Sequence, residues 1–246
     1  TMIHEQNSII GLTNKILIKR VDKIICCYQK ALEVFPKEKT VLLGNPRASV
    51  VSQQKLYDIH DIYGIHKERK TVVIVMGSLG SSSVNQVMKE AMRIMQYDDY
   101  DVVYVTGQNY YESMKKELSD LNSSIHLVNY IEDMPSLIAS CDLIVSRAGA
   151  TTLAEITALG CASLLIPSPY VVANHQEYNA KELVDAHAAR WILEKDLNAH
   201  DFVKQIRYLL GHEDILNGMK KNARQLGKPK ACQEIYEEMM KTLGRK

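Results

Sequence analysis

Short apolar runs, each followed by helical periodicity, constrain this chain more than any other feature. The runs fall at 41–44, 71–76, 102–106, 125–128, 143–146 and 163–167. They are rich in Val, Ile and Leu and lack polar alternation, as expected of strands covered on both faces. Helical spacing fills about 83–97, 110–121, 134–140, 151–160 and 175–187. From about 199 to 243 the pattern is helical only, broken at Gly211-His212 and Gly227-Lys228-Pro229. Strands that alternate with helices predict right-handed βαβ units, hence an α/β fold with a doubly wound, parallel, Rossmann-like sheet.

A chain of 246 residues can hold one large or two small domains. The turn-forming Gly44-Asn45-Pro46 predicts a boundary, with residues 1–45 as a remnant of a preceding domain, 46–225 as a nucleotide-binding-type domain and 226–246 as a terminal helix packing back on the first part. The first residues already follow an apolar-then-polar pattern, which reads as a start inside a larger fold. Charge is unevenly spread. Residues 1–70 carry 12 Lys/Arg against 7 Asp/Glu (net +5), and the remainder carries 18 against 22 (net −4). Such a bias is either a solvated basic face or a surface turned toward anionic lipid or substrate. The cysteines (Cys26, Cys27, Cys141, Cys161, Cys232) form no C-x-x-C pair and no zinc spacing, and predict a reducing cytoplasm. No apolar run approaches the roughly 20 residues of a membrane helix.

The polar residues that could carry chemistry gather where strands end. Met76-Gly77-Ser78-Leu79-Gly80-Ser81 follows a strong strand, and glycines there let a backbone approach a phosphate at a helix start. It matches neither of the common phosphate-loop patterns, so a Ser-capped turn is the plain alternative. Ser146-Arg147-Ala148-Gly149-Ala150-Thr151-Thr152 repeats the arrangement. Glu155 is either the acid of a capping box with Thr152 or a carboxylate that accepts two ribose hydroxyls. Asn174-His175-Gln176-Glu177 groups amide, imidazole and carboxylate in a way that suits sugar hydroxyls better than a metal, with a plain Asn174 helix cap as the alternative. His4-Glu5-Gln6-Asn7 poses a similar question, and Arg47 offers a planar fork for a diphosphate. Trp191, the only tryptophan, reads as core.

Together, HEQNSIIGLTNK, VLLGNPRAS, the Gly/Ser loop, NYIEDM, SRAGATTLAEI and NHQEYNA run in the order found in the MurG family of glycosyltransferases, which the chain resembles over nearly its whole length. That family moves N-acetylglucosamine from UDP-GlcNAc to an undecaprenyl-pyrophosphoryl-MurNAc-pentapeptide lipid in peptidoglycan precursor synthesis. The resemblance implies the donor-binding half of a two-domain glycosyltransferase fold. It implies that Ile131 holds uracil through its backbone, Glu155 the ribose, and Arg47, Ser78 and the helix start at Ala150, Thr151 and Thr152 the diphosphate. Gln176, Glu177 and Asn7 would address the sugar. The implied reaction inverts the anomeric centre in one displacement, with no cofactor and no metal; a helix N-terminus and an Arg steady the departing UDP.

The implied partners are UDP-GlcNAc and the lipid acceptor, with peripheral contact at the cytoplasmic face of the membrane and no nucleic acid. The family's glycine-rich GGTGGH loop and most of its acceptor domain are not in this sequence, which predicts a chain that binds donor and does not turn over alone. Its GGS loop reads Met76-Gly77-Ser78 and its paired glutamines read Gln176-Glu177. Two alternatives stand beside this reading: a non-catalytic nucleotide-sugar-binding subunit that needs a partner, and a UDP-GlcNAc epimerase-like enzyme.

Overall fold

In the computed structural model, which describes residues 1–77 and 81–244, the apolar runs sort into two separate parallel sheets. Strands β1 (Met2–Glu5), β2 (Lys23–Cys26) and β3 (Thr40–Leu42) pair in sequence order. Helix α1 (Leu12–Leu17) lies between the first two. Val21, Ile24, Cys26, Ala31 and Phe35 form a small core here. The run at 41–44 therefore belongs to this first sheet and not to the nucleotide-binding one. β2 is a strand that the sequence pattern left unmarked.

The chain then crosses over through Leu43–Pro46 into α2 (Arg47–Gln53) and α3 (His60–Tyr63), and enters the second sheet. There β4 (Lys70–Val75), α4 (Ser82–Met95), β5 (Tyr100–Val105), α5 (Tyr111–Glu117), β6 (Ile125–Val128), α6 (Met134–Ser140), β7 (Leu143–Ser146), α7 (Ala150–Leu159), β8 (Ala162–Leu165), α8 (His175–Asp185) and β9 (Ala189–Trp191) alternate without interruption. The strand order is β6-β5-β4-β7-β8-β9, all parallel. Counted from β4, this is 3-2-1-4-5-6, the doubly wound dinucleotide-fold order.

The apolar runs are continuous because both sheet faces are covered. On β4, Val72 and Ile74 face a core shared with α4 and with α9 (Ala199–Gly211), whereas Val73 and Val75 face Leu137, Ile138, Leu153 and Ile156 of α6 and α7. Burying each such side chain contributes on the order of 2 kcal/mol. In α4 the buried Val84, Met88, Ala91, Met92 and Met95 keep helical spacing, so one stripe faces the sheet. α9 starts where Asn198 accepts a hydrogen bond from Asp201 N at 2.9 Å.

Helix bounds depart from the sequence pattern in explicable ways. α5 ends at Glu117, and the Ser119 hydroxyl then bonds back to the Lys116 carbonyl, a local competitor of helical pairing. α8 ends at Asp185, and His187 takes a left-handed φ of 53° before the three residues of β9. Trp191 on that strand is half-buried against the α6–α8 side of the core.

After α10 (Glu213–Leu226) the chain passes back through Gly227-Lys228-Pro229 into α11 (Ala231–Thr242). Gly227 fits because a Cβ there would meet the Thr157 carbonyl oxygen at 2.7 Å. α11 lies on α2, with Cys232 N donating to Ser49 Oγ at 2.9 Å, and reaches β2 through a Lys23–Glu238 ion pair at 2.8 Å. Two chain segments thus join the two sheets side by side.

Candidate functional site

In a doubly wound sheet the strand order reverses at one point, where the loops after two neighbouring strands diverge and leave a crevice. Here that point lies between β4 and β7, which pair directly. A cleft of about 780 Å³ opens there, over the carboxyl ends of both strands. Residues from three elements beyond the sheet close its sides: Arg47 from α2, Ile131 from the loop after β6, and Gln176 from α8.

The β7–α7 turn supplies the floor. α7 begins at Ala150 with Gly149 as N-cap, and no side chain caps it. The first amides of α7 are therefore free of intrahelical partners at an end where the helix dipole is positive. Thr151 and Thr152 line the cleft there. The same geometry excludes the capping box: Thr152 is inside the helix, and the Glu155 carboxylate is bound elsewhere.

Its partner is Arg47. Glu155 Oε1 accepts from Arg47 Nε at 2.6 Å, with the carboxylate side chain 8% exposed and the guanidinium side chain 36% exposed. One turn of α7 thus sets a buried acid beside the cleft, and the start of α2 sets a base over it. Arg47 is placed by Asn45, whose Oδ1 accepts from Arg47 N at 2.9 Å.

Ile131 is buried at the cleft wall beside the half-exposed Tyr130. Their loop is pinned because Asp133 caps α6, accepting from Ser136 N, and also accepts from Gln54 Nε2 at 2.7 Å. Gln176 is fixed by its amide oxygen, which accepts from Ser168 N at 2.9 Å and Ala148 N at 3.2 Å. What Gln176 can offer a ligand is consequently its NH2 group.

The remaining candidates lie elsewhere. Ser78 is outside the described residues; its neighbour Gly77, at a φ of 91°, lines the cleft with nothing near its open side. The Ala150 side chain lines a second cavity on the far face of α7. Asn7 accepts from Asn179 Nδ2 at 3.0 Å, and Glu177 from Asn174 Nδ2; neither lines the cleft. Asn174 does precede α8 but makes no capping bond with its side chain. The rest of the HEQN motif is a structural knot: buried Glu5 accepts from Asn7 N, Gly11 N and Asn14 Nδ2. His4 bridges the Gly44 carbonyl and Cys27 Sγ, and its burial holds the imidazole below its ordinary range.

Arg147 received no role from the sequence, although it sits inside the most informative motif. Its guanidinium lies 2.6 Å from Glu194 Oε2 and donates to Ser81 Oγ and the Ile166 carbonyl. Ser83 Oγ also donates to Glu194, at 2.6 Å. This network ties the start of α4 to the end of β7 across the cleft. Arg147 was visible as a strand-end cation; Glu194, far along the chain, carried no signal. All five cysteines are free, including Cys141 and Cys161 with sulfurs 3.6 Å apart. Among the described residues no grouping of His, Cys, Asp and Glu could hold a metal ion, and no helix is long and apolar enough to cross a membrane.

Against this geometry, comparison with known proteins is specific. Residues 71–235 match the glycosyltransferase family 28 C-terminal domain. The chain is 43% identical over 243 residues to the UDP-N-acetylglucosamine–N-acetylmuramyl-(pentapeptide) pyrophosphoryl-undecaprenol N-acetylglucosamine transferase 1 of Bacillus cereus, covering 98% of this chain and 67% of that protein. Among solved structures it is similar to Acinetobacter baumannii MurG, with a TM-score of 0.79 and 27% identity over 98% of this chain and 66% of that one. It also superposes on a Neisseria meningitidis UDP-GlcNAc 2-epimerase bound to UDP-GlcNAc, with a TM-score of 0.70 at 15% identity over 92% of this chain and 63% of that one. The last likeness shows a shared fold alone. The chain spans about two thirds of the transferases it matches.

Proposed function

The chain belongs to the family 28 glycosyltransferases, and from that premise we propose that the cleft between β4 and β7 is the donor site for UDP-N-acetylglucosamine. The observation that carries this reading is the buried Glu155 carboxylate set beside the uncapped start of α7 in one cleft. A diphosphate fits the helix start, where backbone amides and the dipole favour negative charge. A ribose fits Glu155, since one carboxylate can accept from two vicinal hydroxyls. Uracil lies along the Ile131 segment, which offers backbone donors and acceptors to its edge. Gln176 turns its NH2 to the sugar, with Asn7 and Glu177 farther out. Ala150 serves through its backbone N–H.

The reaction is transfer of N-acetylglucosamine to the lipid-linked MurNAc-pentapeptide of peptidoglycan precursor synthesis. An acceptor hydroxyl attacks the anomeric carbon, the bond to the β-phosphate oxygen breaks, and UDP departs with inversion. The residues here act on the leaving group: α7 amides and Arg47 oppose the charge that grows on the β-phosphate, in a site shaped before the charge appears. The lipid acceptor suggests a membrane-facing rim. On α1, Leu12 and Ile16 are exposed at 75% and 64%, with Lys15, Lys19 and Arg20 nearby, a composition that suits an anionic lipid surface. The epimerase alternative has only the shared fold behind it.

The test is a titration with UDP-GlcNAc, UDP and UDP-GalNAc read by calorimetry and melting temperature. A hundredfold excess of UDP-GlcNAc over its Kd should stabilise the protein by about 2.7 kcal/mol. Glu155→Ala should weaken UDP and UDP-GlcNAc alike by roughly 10- to 100-fold, the worth of one or two charge-assisted hydrogen bonds. Equal affinities in the variant and the native chain would reject the donor-site assignment.

A further inference from the structure

The donor cleft has a direction. Its lining follows the strand order, with Ile131 beyond β6, Val105 on β5, Gly77 after β4, Ser146 on β7, and Ser168 and Tyr170 beyond β8. Neighbouring strands lie about 4.8 Å apart, so the cleft crosses roughly 19 Å of sheet edge. In the donor-site reading, the base lies at the β6 end and the diphosphate over the start of α7, which follows β7. The sugar is bonded directly to the β-phosphate and points away from the base. The β8 end, one strand further on, is the place left for it.

Two kinds of surface meet at that end. One is polar: the NH2 of Gln176, whose oxygen is held by Ser168 N and Ala148 N. The other is the ring of Tyr170, which lines the cleft and is 79% exposed. Tyr170 belongs to no core cluster among the described residues, so packing does not account for it. Both groups sit on one strap, residues 168–176, that closes on itself. Ser168 Oγ accepts from Tyr170 N at 3.3 Å, while Ser168 N donates to Gln176. Within the strap the backbone takes a left-handed φ of 53° at Ala173 and 51° at Asn174, which residues with a side chain avoid. Asn174 N, donating to the Val171 carbonyl at 3.1 Å, and His175 Nδ1, donating to the Val172 carbonyl at 3.0 Å, hold it there. Strain of this kind persists where neighbours over-determine it, and it gathers at ligand clamps.

We propose that Tyr170 is a specificity residue of the donor site, resting on the donor-site reading: its ring takes the apolar C–H face of the hexose while Gln176 holds an oxygen at the sugar's edge. A pyranose carries its hydroxyls around the rim and C–H bonds on its faces. An aromatic face is the negative end of a quadrupole and attracts such hydrogens. The strap presents the ring in place, so little order remains to be gained on binding. Tyr170 touches the sugar and not the nucleotide, so it supplies the difference in affinity between UDP-GlcNAc and UDP. The product UDP, which lacks the sugar, is the looser ligand at this end, and donor displaces it.

The test compares UDP with UDP-GlcNAc on the native chain, Tyr170→Ala, Tyr170→Phe and Glu155→Ala, by calorimetry and by NMR amide shifts up to about 10 mM ligand. Tyr170→Ala should weaken UDP-GlcNAc about five- to tenfold and leave UDP unchanged. Tyr170→Phe keeps the ring and should bind both as the native chain does. Because the ring is exposed, both variants should melt within about 2 °C of the native chain. The proposal is overturned if Tyr170→Ala weakens both ligands by the same factor or weakens neither, or if Tyr170→Phe loses as much as Tyr170→Ala. The donor-site reading fails on a different result, UDP affinity equal in Glu155→Ala and the native chain, and the role of Tyr170 then falls with it. Absence of binding by either ligand overturns both.

Discussion

The Arg47–Glu155 pair makes a prediction whose sign is unusual. Of the two side chains, the acid is the buried one, at 8% exposure against 36% for the base. Removing Arg47 strands a carboxylate that is only 8% exposed in the wall of the cleft. Breaking a buried pair from one side costs about 3–5 kcal/mol, whereas exposed pairs contribute about 0–1 kcal/mol. With one partner buried and the other a third exposed, Arg47→Ala should cost about 3 kcal/mol. Glu155→Ala should cost about 1 kcal/mol, because the freed guanidinium can turn to solvent. At roughly 2–4 °C per kcal/mol for a chain of this size, melting temperature should fall by about 6–12 °C in the first case and about 2–4 °C in the second.

The decisive variant is the double one. Adding Glu155→Gln to Arg47→Ala removes the stranded charge and keeps its shape, so the second substitution should recover most of the loss. The assay is urea denaturation at pH 7 for the native chain, both single variants and the double. If the double variant is less stable than Arg47→Ala, or if the two single variants lose equally, the buried-carboxylate reasoning is wrong.

Two further outcomes follow from burial. His4 and His126 are both held below the ordinary imidazole value of 6.5, chiefly by desolvation, so the unfolded chain binds protons there more readily than the folded one. Stability should therefore decline as pH falls below about 6.5, and His4→Gln should flatten part of that decline in denaturation measured from pH 7 to pH 5; a slope unchanged in that variant and in His126→Gln would refute the attribution. The Cys27 thiol is pushed up to about 12, first by burial and then by Cys26 and Glu5, whereas Cys232 is exposed. Iodoacetamide at pH 8 should label Cys232 well before Cys27, read by peptide mass spectrometry; equal labelling would contradict the raised value.

How much of this was legible in the sequence depends on the range of the interaction. A strand covered on both faces must be apolar at every position, so Val72 to Val75 declared themselves without any partner being known. Lys23–Cys26 and Ala189–Trp191, which mix a charged or aromatic residue with apolar ones, carry no such signal, and pairing with neighbours decides them. The same division separates the parts of the site. The turn at Ser146–Thr152 is local chemistry, small residues and hydroxyls at a helix start, and it was readable. Glu155 was ambiguous, since three-residue spacing from Thr152 is equally that of a capping box. What resolves it is Arg47, 108 residues away, and no local pattern contains that fact.

The pairing also explains why a buried acid is stable beside an open cleft before any ligand arrives. Without Arg47, the buried carboxylate would have no cationic partner. With Arg47 bound through one nitrogen to one carboxylate oxygen, the acid is partnered and the second oxygen stays available. The cation thus has two uses at one position: it pairs with the buried acid, and it stands at the cleft edge where a diphosphate would draw it. Because Arg47 is set by Asn45 at the crossing between the sheets, the geometry of the joint and the readiness of the acid are governed by the same three residues.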